Sequence, residues 1–304
     1  MLAEVFYWLL NMSIIATVMG LLVIAIRRIK WIPRRVSVWL WLAPFLRMVV
    51  PFGAKFRFSI LSLISGQVTK TVPIDIPLGQ VVMTCSNTIR MADSYQPVTF
   101  PSRSIERVFT VAAHVWIAGT VILVSWMVLT YIVAMKSTRK AKHFTENVYL
   151  SEKVSSPVVY GILRPRILLP MLYKNDDLKY VLLHEKCHIR RKDNLWRLLG
   201  VIAVCIHWFN PFAWILLREF LVDLELACDE SVAAGCSMDE RKEYAGVLLA
   251  CTERTPLLYS PFGGAPIRVR IERIVTYRQV TITAMICFSA LIGAILLSMI
   301  TNAG

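Results

Sequence analysis

Residues His184-Glu185-Lys186-Cys187-His188 read HExxH. On a helix, positions four apart share a face, so both imidazoles can reach one zinc ion. Glu185 follows the first of them and can take a proton as water attacks a carbonyl carbon. The chemistry this spacing serves is zinc-dependent peptide hydrolysis. The plain alternative is two ordinary helix histidines. Against it, only five histidines occur in 304 residues, and two of them fall here. A capped helix is also predicted at this place: Asn175-Asp176-Asp177 supply the cap and first-turn acids, and the helix runs from Leu178 through His188.

A catalytic zinc site takes a third protein ligand and leaves a position open for water. No histidine closely follows the motif; His207 is the nearest. Downstream stands Glu225-Leu226-Ala227-Cys228-Asp229-Glu230. Glu225 and Asp229 share a helix face and follow an apolar stretch, where an unpaired carboxylate is costly. A metal and its outer partners offset that cost. Glu225 is therefore assigned as the third ligand. Asp229 is assigned to orient His184 or His188, with direct contact to the metal left open. The competing reading is a solvated acidic face beside Arg218, Arg241 or Lys242.

What must position these residues is a membrane protein. The hydrophobic fraction is 56% and the charged fraction 18%, with a mean hydropathy of +0.57. Both fractions lie outside the usual globular range, and disorder is excluded. The net charge is +14, from 34 basic against 20 acidic residues. In a membrane protein such an excess marks the cytoplasmic flank more readily than a nucleic-acid surface, so no direct nucleic-acid partner is predicted. The seven cysteines form no CxxC pair. They predict reduced core residues and no disulfide framework.

Four apolar runs predict about four transmembrane helices: Val5 to Ile26, Val36 to Phe52, Val108 to Met135 and Ile282 to Ile300. Arg27 to Arg35 carries five basic residues and no acid, and Lys136 to Lys142 is a second basic cluster. Both are predicted inside, which puts the N-terminus outside. Residues 1–135 then form helices 1–3 with an external loop at 53–106. Residues 136–280 form a cytoplasmic α+β domain, and residues 281–304 form the last helix and a short external tail. Strand-like pieces at Val148–Leu150, Val158–Tyr160 and Ile167–Leu169 are broken by Pro157, Gly161, Pro165 and Pro170. Pro44 predicts a kink in the second run. Residues 195–226 are apolar on both sides of Asn210-Pro211. They predict a membrane-associated or re-entrant hairpin, with a pair of true spans as the alternative.

Taken in order, these features resemble the membrane metallopeptidase domain of the bacterial β-lactam sensor-transducers, the BlaR/MecR antirepressor type. The resemblance covers nearly the whole chain. It rests on the basic loop leading into Trp39-Leu40-Trp41, on Arg47 and Pro51-Phe52, and on Ser156-Pro157, Gly161 and Pro165-Arg166-Ile167-Leu168-Leu169-Pro170. It continues through the HExxH motif, His207-Trp208-Phe209-Asn210-Pro211-Phe212 with Trp214, Glu225 to Glu230, and Arg270-Ile271-Glu272-Arg273-Ile274. It implies a multi-pass protein of the bacterial cell membrane with a gluzincin-like zinc endopeptidase domain between helices 3 and 4. It implies a zinc held by His184, His188 and Glu225, with Glu185 as general base. The implied substrate is a cytoplasmic repressor protein, with self-cleavage as a second event.

The family's external penicillin-binding domain follows its last helix, whereas four residues follow Ile300 here. The expectation is a chain that takes its signal from an external sensor domain or protein, with lipid as its other partner. Its one Ser-x-x-Lys, Ser137 to Lys140, lies in the basic inner linker. The Pro- and Gly-rich stretch Thr252 to Pro266 is the expected internal cleavage region, or else a plain linker. Two other functions fit the same residues: a housekeeping membrane peptidase, and a signalling scaffold with a structural metal.

Overall fold

Apolar length and charge placement decide the architecture. The computed structural model describes residues 2–29, 31–50, 55–56, 83–85, 98–100, 103–138, 141–154, 156–171, 175–253 and 265–303. Most of the expected external loop and of the stretch 252–266 lies outside the described residues. Helix α1 (Leu2–Ile26) is followed by α2 (Arg34–Ser37), a 3₁₀ turn (Val38–Trp41), α3 (Leu42–Val49) and the long α4 (Arg103–Thr138). After a sheet come α5 (Asn175–Arg191), α6 (Asp193–Ile206), α7 (Pro211–Ala233), α8 (Met238–Glu253), α9 (Ile267–Val275) and α10 (Ile282–Ile300). Among the described residues, three stretches are long and apolar enough to cross a membrane: Val5–Ile26, Arg107–Lys136 and Ile282–Ile300.

The apolar run that starts at Val36 differs from expectation. Instead of one helix it folds into α2, the 3₁₀ turn and α3. Pro44 does not kink a long helix; it occupies the first turn of α3, where its missing N–H leaves no bond unmade. Polar anchors hold this segment against α7. Asp223 Oδ2 accepts from Trp41 Nε1 at 2.8 Å, and Asp223 Oδ1 pairs with Arg27 Nη2 at 3.0 Å and Arg34 Nη1 at 3.4 Å. Glu219 pairs with Arg27, and Glu230 accepts the Arg34 backbone N–H at 2.5 Å. The basic loop is thus a docking element as well as a charged flank.

The hairpin breaks where the sequence breaks. Asn210 caps α7, its side chain accepting from Phe212 N at 2.9 Å, and Pro211 fills the first helical position. The Asn210 amide also donates to Ser13 Oγ at 2.7 Å and Thr17 Oγ1 at 2.9 Å on α1. Helices α1 and α7 touch at Gly20, where a Cβ would run into the Leu216 side chain. One core joins α1, α3, α6, α7 and α10 around Met19, Leu40, Trp41, Leu216 and Leu217.

The short strands β1 (Lys55–Phe56), β2 (Met83–Cys85) and β3 (Val98–Phe100) precede α4, and beside the bundle lies a four-stranded sheet: β4 (Lys142–Thr145), β5 (Val148–Ser151), β6 (Val158–Tyr160) and β7 (Arg166–Pro170), in the order β4-β5-β7-β6. Strands β5 and β7 are parallel, and the other two pairings are antiparallel. Gly161 leaves β6 at φ +93°, a conformation natural to glycine. Ile167 and Leu169 of β7 bury against Val181 of α5. Asn194 Nδ2 donates to the Val159 and Gly161 carbonyls at 3.1 and 2.9 Å, fixing β6 to the start of α6. The sheet therefore braces the helix that carries the HExxH motif.

Candidate metal centre

Helix α5 projects His184 and His188 from one face, as the four-residue spacing requires. Both rings are buried. Their Nε2 atoms face each other at 3.1 Å. Helix α7 brings the Glu225 carboxylate to the same point, with Oε2 at 3.5 Å from His184 Nε2 and Oε1 at 3.5 Å from His188 Nε2. Zinc–nitrogen bonds of about 2.0–2.1 Å at tetrahedral angles hold their donors about 3.3 Å apart. The three spacings bracket that value, so the donors are set for one small ion.

The Nδ1 atoms are occupied elsewhere, which leaves Nε2 for a metal. His188 Nδ1 donates to Asp193 Oδ2 at 2.7 Å. His184 Nδ1 lies 3.2 Å from Asp229 Oδ1 and 2.9 Å from the Tyr244 hydroxyl, which itself donates to Asp229 Oδ1 at 2.7 Å. Arg270 grips Asp229 with two bonds, Nε to Oδ2 at 2.7 Å and Nη2 to Oδ1 at 2.8 Å. Such outer partners set ring tautomer and orientation at metal sites. The structure therefore brings Asp229 to His184.

Three of these partners carried no assigned role in the sequence. Asp193 reaches back because Lys192 takes a left-handed conformation, φ 57° and ψ 36°, between α5 and α6. Tyr244 comes from α8 and Arg270 from α9. Arg270 stands within a motif of the family resemblance, the one signal that pointed to it. Arg197 Nη2 also donates to Glu225 Oε1 at 2.6 Å. Glu185 is buried next to His184.

The electrostatics are those of an anion-rich pocket closed by arginines. Burial works against charge on His184, but the Asp229 and Glu225 carboxylates outweigh it and raise its pKa. Burial likewise opposes ionisation of Glu225, yet the two histidines and Arg270 hold its carboxyl well below the usual range. A positive ion placed among these donors would take over the part the imidazole protons play. Cys228 is a second candidate for third ligand, since its sulfur lies within 4.8 Å of a donor atom on each histidine. One observation favours Glu225: the Cys228 thiol is already engaged, donating to the His184 carbonyl at 3.3 Å.

Known bacterial proteins share parts of this sequence. The regulatory protein BlaR1 of Bacillus licheniformis is 31% identical over 169 residues, which cover 50% of this chain and 28% of that protein. The methicillin resistance mecR1 protein of Staphylococcus aureus is 30% identical over 115 residues, 36% of this chain and 19% of that protein. BlaR1 of Staphylococcus aureus is 28% identical over 110 residues. The chain thus spans less than a third of the length of these relatives. The model of the BlaR1 peptidase M56 family matches residues 7–274, from α1 through α9, and the chain belongs to that family.

Proposed function

We propose that this chain is a membrane-embedded zinc endopeptidase of signal transduction. One observation carries the reading: two imidazoles and a carboxylate, from separate helices, converge at spacings that suit a single tetrahedral ion. His184, His188 and Glu225 would hold the zinc. When bound there, zinc polarises a peptide carbonyl and makes water nucleophilic at neutral pH. Glu185, beside His184, takes the proton from the attacking water and passes it to the leaving amine. Asp193 and Asp229 hold the two rings in place. Arg270 and Tyr244 hold Asp229.

The substrate we propose is a cytoplasmic transcriptional repressor, with the centre on the inner side of the bacterial membrane. The relatives, a regulatory protein and a methicillin-resistance protein, support regulation by proteolysis. The basic segments at 27–35 and 136–142 support the cytoplasmic placement. We further propose four membrane passages, with α2, the 3₁₀ turn and α3 taking part in the second, and a trigger of cell-wall stress delivered by an external sensor.

The test is cleavage by purified protein in detergent. Wild type with zinc cuts the repressor encoded beside its gene. His184→Ala loses metal and activity together. Glu185→Ala keeps stoichiometric metal and loses about 10²–10⁴ in rate. Full cleavage by metal-loaded Glu185→Ala defeats the mechanism. Accumulation of intact membrane proteins in a deletion strain, with the repressor uncut by wild type, favours the housekeeping peptidase instead.

A further inference from the structure

The turn between β6 and β7, residues 161–165, carries Ile162 and Leu163, which are 37% and 95% exposed. Arg164 and Arg166 beside them are exposed as well. The turn is a fixed projection. Gly161 takes φ +93°, and a Cβ there would sit 2.9 Å from the Arg164 carbonyl oxygen. The Gly161 carbonyl accepts from Asn194 Nδ2 at 2.9 Å, and the Pro165 carbonyl accepts from Asn147 Nδ2 at 3.5 Å. A lone exposed leucine is ordinary on a protein surface. This one stands beside a helix long and apolar enough to cross a membrane.

The hairpin is attached to α4 inside its apolar stretch Arg107–Lys136. The Tyr160 hydroxyl donates to the Tyr131 carbonyl at 2.6 Å, and the two rings stack at 5.3 Å. Tyr131 and Met135 of α4 face Gly161 and Arg164 across one cavity. Tyr131 lies five residues inside Lys136, about 7.5 Å along the helix at 1.5 Å per residue. Strand register gives the direction of the turn. Tyr160 pairs with Arg166, the first residue of β7, whereas Lys142 pairs with Leu150, which pairs in turn with Leu169. Lys142 opens β4 just after α4 ends at Thr138, while Tyr160 sits seven residues back along α4, at 131. The sheet therefore lies alongside this end of α4, with the β6–β7 turn directed toward the middle of the apolar stretch. The α4 residues around the attachment, Val128, Ile132 and Val133, are themselves exposed.

From this placement we infer that the β6–β7 turn is a membrane anchor, with Ile162 and Leu163 entering the lipid leaflet that surrounds this end of α4. The partner is the bilayer interface itself. Tyr131 and Tyr160 form the aromatic level at which membrane proteins meet the headgroups. Arg164 and Arg166 lay their stems along the apolar boundary and keep their guanidinium groups in the headgroup layer. A soluble protein partner would have to displace lipid from α4 to reach Leu163. The inference rests on the reading of α4 as a membrane span. It gives the sheet that braces the HExxH helix a second hold on the membrane, besides its covalent link to α4.

The experiment uses the full chain in nanodiscs of phosphatidylcholine and phosphatidylglycerol. The environment-sensitive fluorescent amino acid Anap takes the place of Leu163, Trp126 or Lys153 in turn. Trp126, 68% exposed on α4, reports whether that helix spans. Lys153 is exposed just beyond β5, at the opposite end of the sheet from the turn. Phosphatidylcholine spin-labelled on its acyl chains near the carbonyl quenches the probe at 163 at least about threefold more than the probe at 153, as expected for a side chain lying ~5–10 Å into the boundary of headgroups and acyl chains. Quenching at 126 without quenching at 163 overturns the anchor and leaves the span standing. Absence of quenching at 126 removes the span and the anchor with it. Equal quenching at 163 and 153 also overturns the anchor. A second arm identifies the neighbour directly. With benzoylphenylalanine in place of Leu163, irradiated protein gains the mass of one phospholipid. Crosslinking of that position to a second copy of the chain, with no lipid adduct, overturns the inference and makes the turn a protein-docking site.

Discussion

His188 and Asp193 stand five residues apart on two different helices, yet Nδ1 and Oδ2 meet at 2.7 Å. Lys192, at φ 57°, turns the chain back between them. This contact orients one proposed zinc ligand much as Asp229 orients the other.

Loss of such an outer partner costs roughly 10–100-fold in metal affinity. Asp193→Ala should therefore weaken zinc binding by that factor and leave the helical circular dichroism unchanged. Asp193→Asn should fall between, since an amide oxygen still accepts from Nδ1. Competition with a fluorescent chelator measures both. Wild-type affinity in Asp193→Ala would remove the residue from the centre.

The two candidates for third ligand make opposite predictions. Glu225→Gln removes the carboxylate that faces both Nε2 atoms and should drop zinc content of dialysed protein well below one per chain. Cys228→Ser keeps a hydrogen-bond donor toward the His184 carbonyl and should retain about one zinc per chain. Elemental analysis of the two variants side by side decides. Zinc retained by Glu225→Gln and lost by Cys228→Ser would give the site to sulfur.

Metal uptake should release protons. The Asp229 and Glu225 carboxylates raise the pKa of His184 above its ordinary 6.5 in the metal-free protein, and zinc must displace that proton. The sign follows from this. Favourable pairing of the charged ring with its carboxylates is fully present below pH 6.5 and fades as pH rises through the raised value. Zinc affinity moves the other way and climbs with pH past neutrality, by about tenfold per unit for each proton displaced. Titration calorimetry in buffers of different ionisation enthalpy measures the protons released. A flat affinity between pH 6 and 8 would contradict the assignment of His184.

Spacing within each of two helices made the pairs His184/His188 and Glu225/Asp229 legible, because a four-residue repeat fixes a face whatever surrounds it. Asp193, Tyr244 and Arg270 were not legible in that way. Their positions depend on a left-handed residue at 192 and on how α8 and α9 pack on α7, and neither has a local pattern. The strands β5, β6 and β7 announced themselves through β-branched residues between Pro and Gly. β4 did not, since Lys-His-Phe-Thr shows no alternation and all four residues are exposed. Hydropathy suggested a span from Val36. What it missed is that Asp223, far along the chain, binds Arg34 and Trp41 and folds the segment into short pieces.

Asn210 offers a test of how the membrane helices bear on the centre. Its carbonyl oxygen caps α7, and its amide nitrogen binds Ser13 and Thr17 of α1. Removing a cap costs about 0.5–2 kcal/mol, and leaving the Ser13 hydroxyl, 2% exposed, without its partner adds roughly 1–3 kcal/mol. Asn210→Ala should therefore lower the melting temperature in detergent distinctly. Asn210→Asp, which keeps the cap and loses the donor, should lower it less. Glu225 lies fifteen residues further along α7, about 22 Å at 1.5 Å per residue, so zinc affinity of the folded protein should stay at the wild-type level in both variants. Thermal unfolding followed by circular dichroism, with zinc content measured below the transition, separates the two effects. If zinc affinity falls together with the melting temperature, the pin between α1 and α7 controls the geometry of the centre itself, and a movement of α1 is transmitted along α7 to Glu225.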